Sequence, residues 1–304
     1  MTNSVIPDTP SKRPCMWLMS GLDPWAASGM ALDIRMTANF QVHVCPVVTS
    51  ITVQDLRMFD ARCVEDNPLL REQLQILYET TMPRSAKIGM LGSMKVMDVV
   101  LDFLPAVALG TVILDPLTHT SSGYEILVPR ARDRLKQDFF PHILLLTPNT
   151  VEAQFLTGIP IDSLDQIQRA ADRLLKMGCR AVLIKGGHSP TLSAGPDKLA
   201  SYYADHKQGF WIDSPKRPYE CRGTGCGLSS LIAALMAQNL ELGASWEQIL
   251  PEAILEAYRY LDSSYQRAYI VAQGREEYDV HPRLLPAPDR SITGTWERGI
   301  VRRD

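Results

Sequence analysis

The chain has 304 residues, of which 45% are hydrophobic and 21% charged, with a net charge of -3. This is the balance of a folded protein of one large or two smaller domains. It gives no general attraction to nucleic acid or to acidic membranes, and no apolar run approaches the roughly 18 residues of a membrane-spanning helix.

Six cysteines are scattered without a CxxC pair, so reduced thiols in a cytoplasmic protein are expected rather than a disulfide framework or a zinc site. Residues 1–14 (MTNSVIPDTPSKRP) are polar and lack the apolar core of a signal peptide, so a disordered lead is expected there. One domain is expected over 15–285, followed by a Pro/Arg-containing tail over 286–304.

Cys15–Ser20 is a short apolar run ended by Gly21, which suits a buried first strand. The loop that follows, GLDPWAASG, is rich in small residues and places Asp23 either as a ligand residue or as a turn cap. Met30, Ile34 and Ala38 then fit one face of a helix ending near Phe40. Val42–Val53 is β-branched and reads as a strand, with Pro46 at an edge or bend. Gln54 closes that strand, where its amide can read the edge of a heterocycle or satisfy a loop backbone group.

Helices are predicted over Asn67–Met82, with Leu70, Leu74, Leu77 and Tyr78 on one face, and over Lys95–Leu104. Strands are predicted at Ala86–Leu91, Thr111–Leu114, His142–Leu146 and Arg180–Ile184, with a capped helix over Ser163–Gly178. Apolar strands alternating with helices predict a mostly parallel α/β sheet with helices on both faces, and such sheets bind ligands beyond their strands' carboxyl ends. Asp115, Asn149 and Lys185 all stand at such ends. Asn149 and Glu152 are three apart, as in a capping box, and a carboxylate there can also face a hydrated magnesium. Lys198–Ala204 and Gly209–Asp213 read as a hairpin that adds an antiparallel edge, and Trp246–Ala268 as the last long helix or helix pair.

Between them lies CRGTGCGLSSLIAALMAQN, residues 221–239. A Gly223-Thr224-Gly225 turn opens a helix that is apolar all along, and its first N–H groups are free to hold an anion, phosphate above all. Cys226 sits at the first turn, where that field favours thiolate. A tight helix start with a buried cysteine has the same spacing.

GLDP with its small-residue loop, TSITVQ, KIGML, VILDP, LLTPNTVEAQFLTG, AVLIKGGH and RGTGCGLSSLIAAL follow one another over roughly residues 16 to 280. In that order they resemble the phosphomethylpyrimidine kinases of the ribokinase superfamily. The resemblance implies a three-layer ribokinase-like fold. It also implies phosphorylation of 4-amino-5-hydroxymethyl-2-methylpyrimidine, or its monophosphate, with ATP and Mg2+ on the way to thiamine diphosphate. It puts the anion hole on Gly223, Thr224 and Gly225, a catalytic cysteine on Cys226, and a pyrimidine pocket on Gly21, Asp33, Gln54 and Met90. Asp23, Ser28 and Leu117 are added as substrate-side candidates. Asn149, Lys185, Gly187 and Arg222 are the phosphate-side candidates, Lys185 being also a catalytic one, and Glu152 and Asp115 the metal-side ones.

The departures lie around this site. Ala26-Ala27-Ser28-Gly29 stands for the family's usual Gly-Gly-Ala-Gly, Arg222 for a histidine, and Gly227 for a hydroxyl residue. A pyridoxal-type kinase of the same fold and a weakened pyrimidine-binding paralogue remain alternatives. A homodimer is expected.

Overall fold

The computed structural model describes residues 12–54, 59–63, 68–107, 110–119, 126, 129–186, 197–217, 221–240, 245–268 and 301–302. Ten strands form one sheet: β1 (Cys15–Leu22), β2 (His43–Gln54), β3 (Phe59–Cys63), β4 (Pro83–Ile88), β5 (Val112–Leu114), β6 (Leu145–Leu146), β7 (Ala181–Ile184), β8 (Lys198–Asp205), β9 (Gly209–Pro215) and β10 (Val301–Arg302). Their order across the sheet is β10-β9-β8-β7-β6-β5-β4-β1-β2-β3. From β2 through β1, β4, β5 and β6 to β7 every pairing is parallel. The β8–β9 hairpin supplies the expected antiparallel edge.

Both faces of the parallel core are apolar, as the continuous runs required. Val112 and Leu114 face one cluster and Ile113 the other, while Val182 and Ile184 alternate with Ala181 and Leu183 in the same way. The first face is covered by α2 (Leu69–Thr80), α3 (Met94–Phe103), a helical stretch over 129–142 that begins with α4 (Pro129–Arg134), α5 (Thr150–Thr157) and α6 (Leu164–Lys176). The second is covered by α1 (Gly29–Thr37), α7 (Thr224–Leu240) and α8 (Trp246–Tyr265). A helix apolar on all sides must be enclosed, and α7 is: it is buried from Cys226 to Ala237 and packs on α1, α8 and β4.

Two expectations needed revision, and two elements were not anticipated. Helix α1 buries Met30, Leu32, Asp33 and Met36, whereas Ile34 is exposed, as is Ala38 just beyond its end. The buried stripe is therefore rotated to follow the cradle helix α7, which the chosen apolar residues could not reveal. Tyr78 is exposed beside Phe103 rather than buried on α2. The helical stretch over 129–142 carries too much charge to show a clear apolar period, and β3 was not anticipated either. Pro46 is where an edge proline belongs: it pairs with Leu18 on one side, and β3 reaches only Ser50–Gln54 on the other. Val301 and Arg302, in the expected tail, pair with Ile212 and Trp211.

Candidate active site

Loops at the carboxyl ends of β1, β4, β5, β6 and β7 converge on the start of α7. Two of the glycines are required there, and a third lies close to Lys185. Gly223 has φ +79°, and a Cβ on it would stand 2.2 Å from both the Ala27 carbonyl oxygen and a Leu32 methyl. Gly29 has φ +58°, and its Cβ would meet the Gly21 carbonyl at 2.4 Å. A Cβ on Gly225 would lie 2.9 Å from Lys185 Nζ. The cradle is thus built against the first loop on one side and against Lys185 on the other.

Lys185 is brought there by backbone pairing. Its N–H donates to the Pro148 carbonyl at 2.8 Å, in a parallel bridge with Asn149. Its ammonium donates to Asp115 Oδ1 at 2.7 Å, and the fully buried Asp115 leaves Oδ2 without a partner. Thr147 donates to the same Oδ1 at 3.3 Å. The carboxylates of Asp115 and Glu152 hold the Lys185 ammonium above its usual range, against the opposing effect of burial.

Asn149 and Glu152 form a complete capping box. Glu152 N donates to Asn149 Oδ1 at 2.8 Å, and Asn149 N donates to Glu152 Oε2 at 2.7 Å. The Thr118 backbone also supports the Glu152 carboxylate, yet burial pushes Glu152 up to about 7 while Lys185 opposes it. Glu152 therefore organises the start of α5, and no group of three metal-capable side chains occurs among the described residues.

The first loop is organised by Asp23, in the turn-cap role that was one of its two expected ones. Asp23 Oδ1 accepts from Trp25 N at 2.9 Å; Oδ2 accepts from Ala27 N, Ser28 N and the Ser28 hydroxyl at 3.1, 3.0 and 3.0 Å. Both carboxylate oxygens, and the Ser28 hydroxyl with them, are committed to the loop. Ala26 adopts φ +53°, a left-handed conformation, where the resembling family has glycine.

Cys226 also departs from expectation. Burial raises its thiol to about 12, although the Lys87 ammonium and the Gly29 N–H oppose that rise. The helix-terminal field is outweighed by loss of water, so the resting residue is a thiol rather than a thiolate. Beside it lies a pair that the sequence reading missed in part. Lys87 Nζ donates to Asp33 Oδ2 at 2.6 Å, with both side chains 0% exposed. The signal was a lysine inside an apolar strand, a residue almost never buried without a partner. Asp33 Oδ1, Ser20 Oγ and Ser50 Oγ are buried without partners nearby.

Gly21 and Met90 meet, since a Cβ on Gly21 would lie 3.3 Å from the Met90 sulfur and 2.8 Å from Ser50 Oγ. Gln54 is half-buried at the end of β2, and Leu117 is partly buried against the α7 side of the core. Arg222 immediately precedes the cradle, and Gly187 lies outside the described residues.

Residues 23–279 match the family model described as phosphomethylpyrimidine kinase. The chain belongs to the phosphomethylpyrimidine kinase family. It is 30% identical over 230 residues to the hydroxymethylpyrimidine/phosphomethylpyrimidine kinase of Aquifex aeolicus, covering 74% of this chain and 86% of that one. It is also 30% identical over 260 residues to the protein of the same description from Haemophilus influenzae, covering 84% and 92%. The phosphomethylpyrimidine kinase structure from Clostridium difficile 630 superposes with a TM-score of 0.68 at 25% identity, over 84% of this chain and 100% of that one. A pyridoxal kinase from Staphylococcus aureus, solved with AMP-PCP and pyridoxal, superposes with a TM-score of 0.76 at 20% identity over 96% and 98% of the two chains. That match shows the shared ribokinase-like fold. This member of the kinase family is a phosphotransferase, and none of its described helices is long and apolar enough to cross a membrane.

Proposed function

We propose that this kinase transfers the γ-phosphoryl group of ATP to the hydroxymethyl oxygen of 4-amino-5-hydroxymethyl-2-methylpyrimidine, or to its monophosphate. The observation that carries the reading is the position of the Lys185 ammonium, held by Asp115 and 2.9 Å from where a Cβ on Gly225 would stand. It sets a fixed cation against the N-terminus of a helix, an arrangement suited to a transferring phosphoryl group. Gly21, Met90, Gln54 and the free Asp33 oxygen would hold the ring, with Ser20 and Ser50 as further polar contacts. Asn149 and Arg222 would face the nucleotide phosphates.

The donor set suits magnesium: a buried, unpartnered Asp115 oxygen with Glu152 near it offers the few carboxylates that a hydrated, phosphate-bound Mg2+ uses. Bound there, the ion would neutralise polyphosphate charge. Phosphoryl transfer passes through a loose transition state that asks mainly for positioning and charge stabilisation. The resting Cys226 thiol is consistent with that demand: it would orient the attacking hydroxyl rather than deprotonate it beforehand. Coupled ADP release with the hydroxymethylpyrimidine, its monophosphate and pyridoxal tests the reading. Turnover with pyridoxal alone, or with none of the three, would overturn it. The expected homodimer is tested by sedimentation of the same preparation.

A further inference from the structure

At the other end of β1, remote from the kinase site, two thiols face each other. Cys15 opens β1 and Cys45 lies in the adjacent parallel strand, opposite Trp17. Both side chains belong to the same face of the sheet. Their sulfurs are 3.4 Å apart, in S–H···S contact. Cys15 pairs with His43 and Cys45 with Trp17, so the two thiols lie diagonally across the strands. A disulfide needs about 2.0 Å between sulfurs, so closing it takes side-chain rotation together with a local shift of Cys15 at the open end of β1. Cys15 is partly exposed, and the neighbouring His43 is exposed. From Cys15 to Gly21 the strand runs about 20 Å, which separates this pair from the cradle.

We propose that Cys15 and Cys45 are an oxidisable pair which a hydroperoxide converts into an intramolecular disulfide at the amino end of the sheet. In the first step the Cys45 sulfur attacks the peroxide O–O bond. It becomes a sulfenic acid, and the alcohol, or water from hydrogen peroxide, departs. The Cys15 sulfur then attacks the Cys45 sulfenyl sulfur; the S–S bond forms, the S–O bond breaks, and the leaving hydroxide takes the Cys15 proton as water. Two thiols are oxidised and one peroxide is reduced. The roles follow from the environment. The two thiols share one hydrogen bond, in which either sulfur can be the donor. With Cys15 donating and the His43 ring beside Cys45, Cys45 is the more acidic thiol and Cys15 the proton holder. Thiolate character and exposure together set susceptibility to peroxide; Cys45 is 6% exposed, so thiolate character is what favours it. The bond would close a loop containing the Asp23 loop and α1.

The test treats the intact, reduced protein with hydrogen peroxide and reads thiols and peptide masses. The expected result is loss of 2 Da and of two titratable thiols, with the tryptic peptides 13–35 and 36–57 joined. The thermal midpoint should rise by several degrees, because a loop of this size is removed from the unfolded ensemble. In Cys15→Ser, Cys45 should instead be trapped by dimedone as a sulfenic acid. The proposal is overturned if both thiols survive, if the bond joins other cysteines, or if Cys15→Ser leaves Cys45 unlabelled while Cys45→Ser shows Cys15 labelled.

Discussion

Replacing Lys87 by Met removes the charge that offsets Asp33, and the size of the effect follows from the geometry. At 2.6 Å and an effective dielectric near 20, the attraction is about 6 kcal/mol. Desolvating each ion costs several kcal/mol, so the intact pair contributes little net stability. Breaking it leaves a carboxylate with no water and no cation, which costs about 3–5 kcal/mol out of a whole-domain stability of about 5–15 kcal/mol.

Asp33 responds by holding a proton. Burial already raises its pKa against the pull of Lys87, and removing Lys87 raises it further. A carboxyl whose folded pKa lies above its unfolded value near 4 binds protons more tightly when folded. The deficit of Lys87→Met is therefore smallest below about pH 4 and widens as pH rises through the raised folded pKa. The double variant Lys87→Met/Asp33→Asn removes both charges and should recover most of the loss. Guanidinium unfolding of the four proteins at pH 4 and pH 8 measures the cycle. A loss below about 1 kcal/mol for Lys87→Met at pH 8, or additive single effects, would refute a buried, mutually dependent pair.

Cys226 holds its proton to about pH 12, so Cys226→Ala should lower turnover by the same factor at pH 6 and pH 9; a ratio that changes across that range would restore the thiolate base. The same raised pKa means that native stability declines as pH climbs above 9, by about 4 kcal/mol over three units, and alkaline unfolding of wild type against Cys226→Ala reads the difference. Gly223→Ala sets a methyl into the Ala27 carbonyl and should destabilise by several kcal/mol, roughly 3 or more, in thermal unfolding. Ala26→Gly relieves the left-handed strain at φ +53° and should stabilise by about 0.5–1 kcal/mol.

The layered fold was legible because each parallel strand is an uninterrupted apolar run and each helix between them shows either a cap or a clear period. The hairpin strands and the enclosed α7 were visible for the same reason. Strand β3 and the charged stretch over 129–142 lack that contrast, and α1 misleads because its buried face includes the acidic Asp33. At the site, the strand ends put Asp115, Asn149 and Lys185 on neighbouring strands, and the structure brings the three together. The sequence left open whether Asp23 caps its own loop, and it could not reveal that burial overrides the helix field at Cys226 or that Lys87 completes Asp33. Each depends on which groups lose water together, and that is a property of packing rather than of spacing.

The contact of Gly223 with Ala27 carries a consequence for how such a site can change. The first loop and the cradle are separated by nearly 200 residues, yet they share one van der Waals surface. A methyl gained on one wall must be matched by space on the other. The departures from the resembling family occur on both walls, at Ala26 to Ser28 and at Arg222 and Gly227. They are best regarded as one adjustment of a single interface, and grafting either wall alone from a relative should yield a protein whose two halves of the site no longer meet.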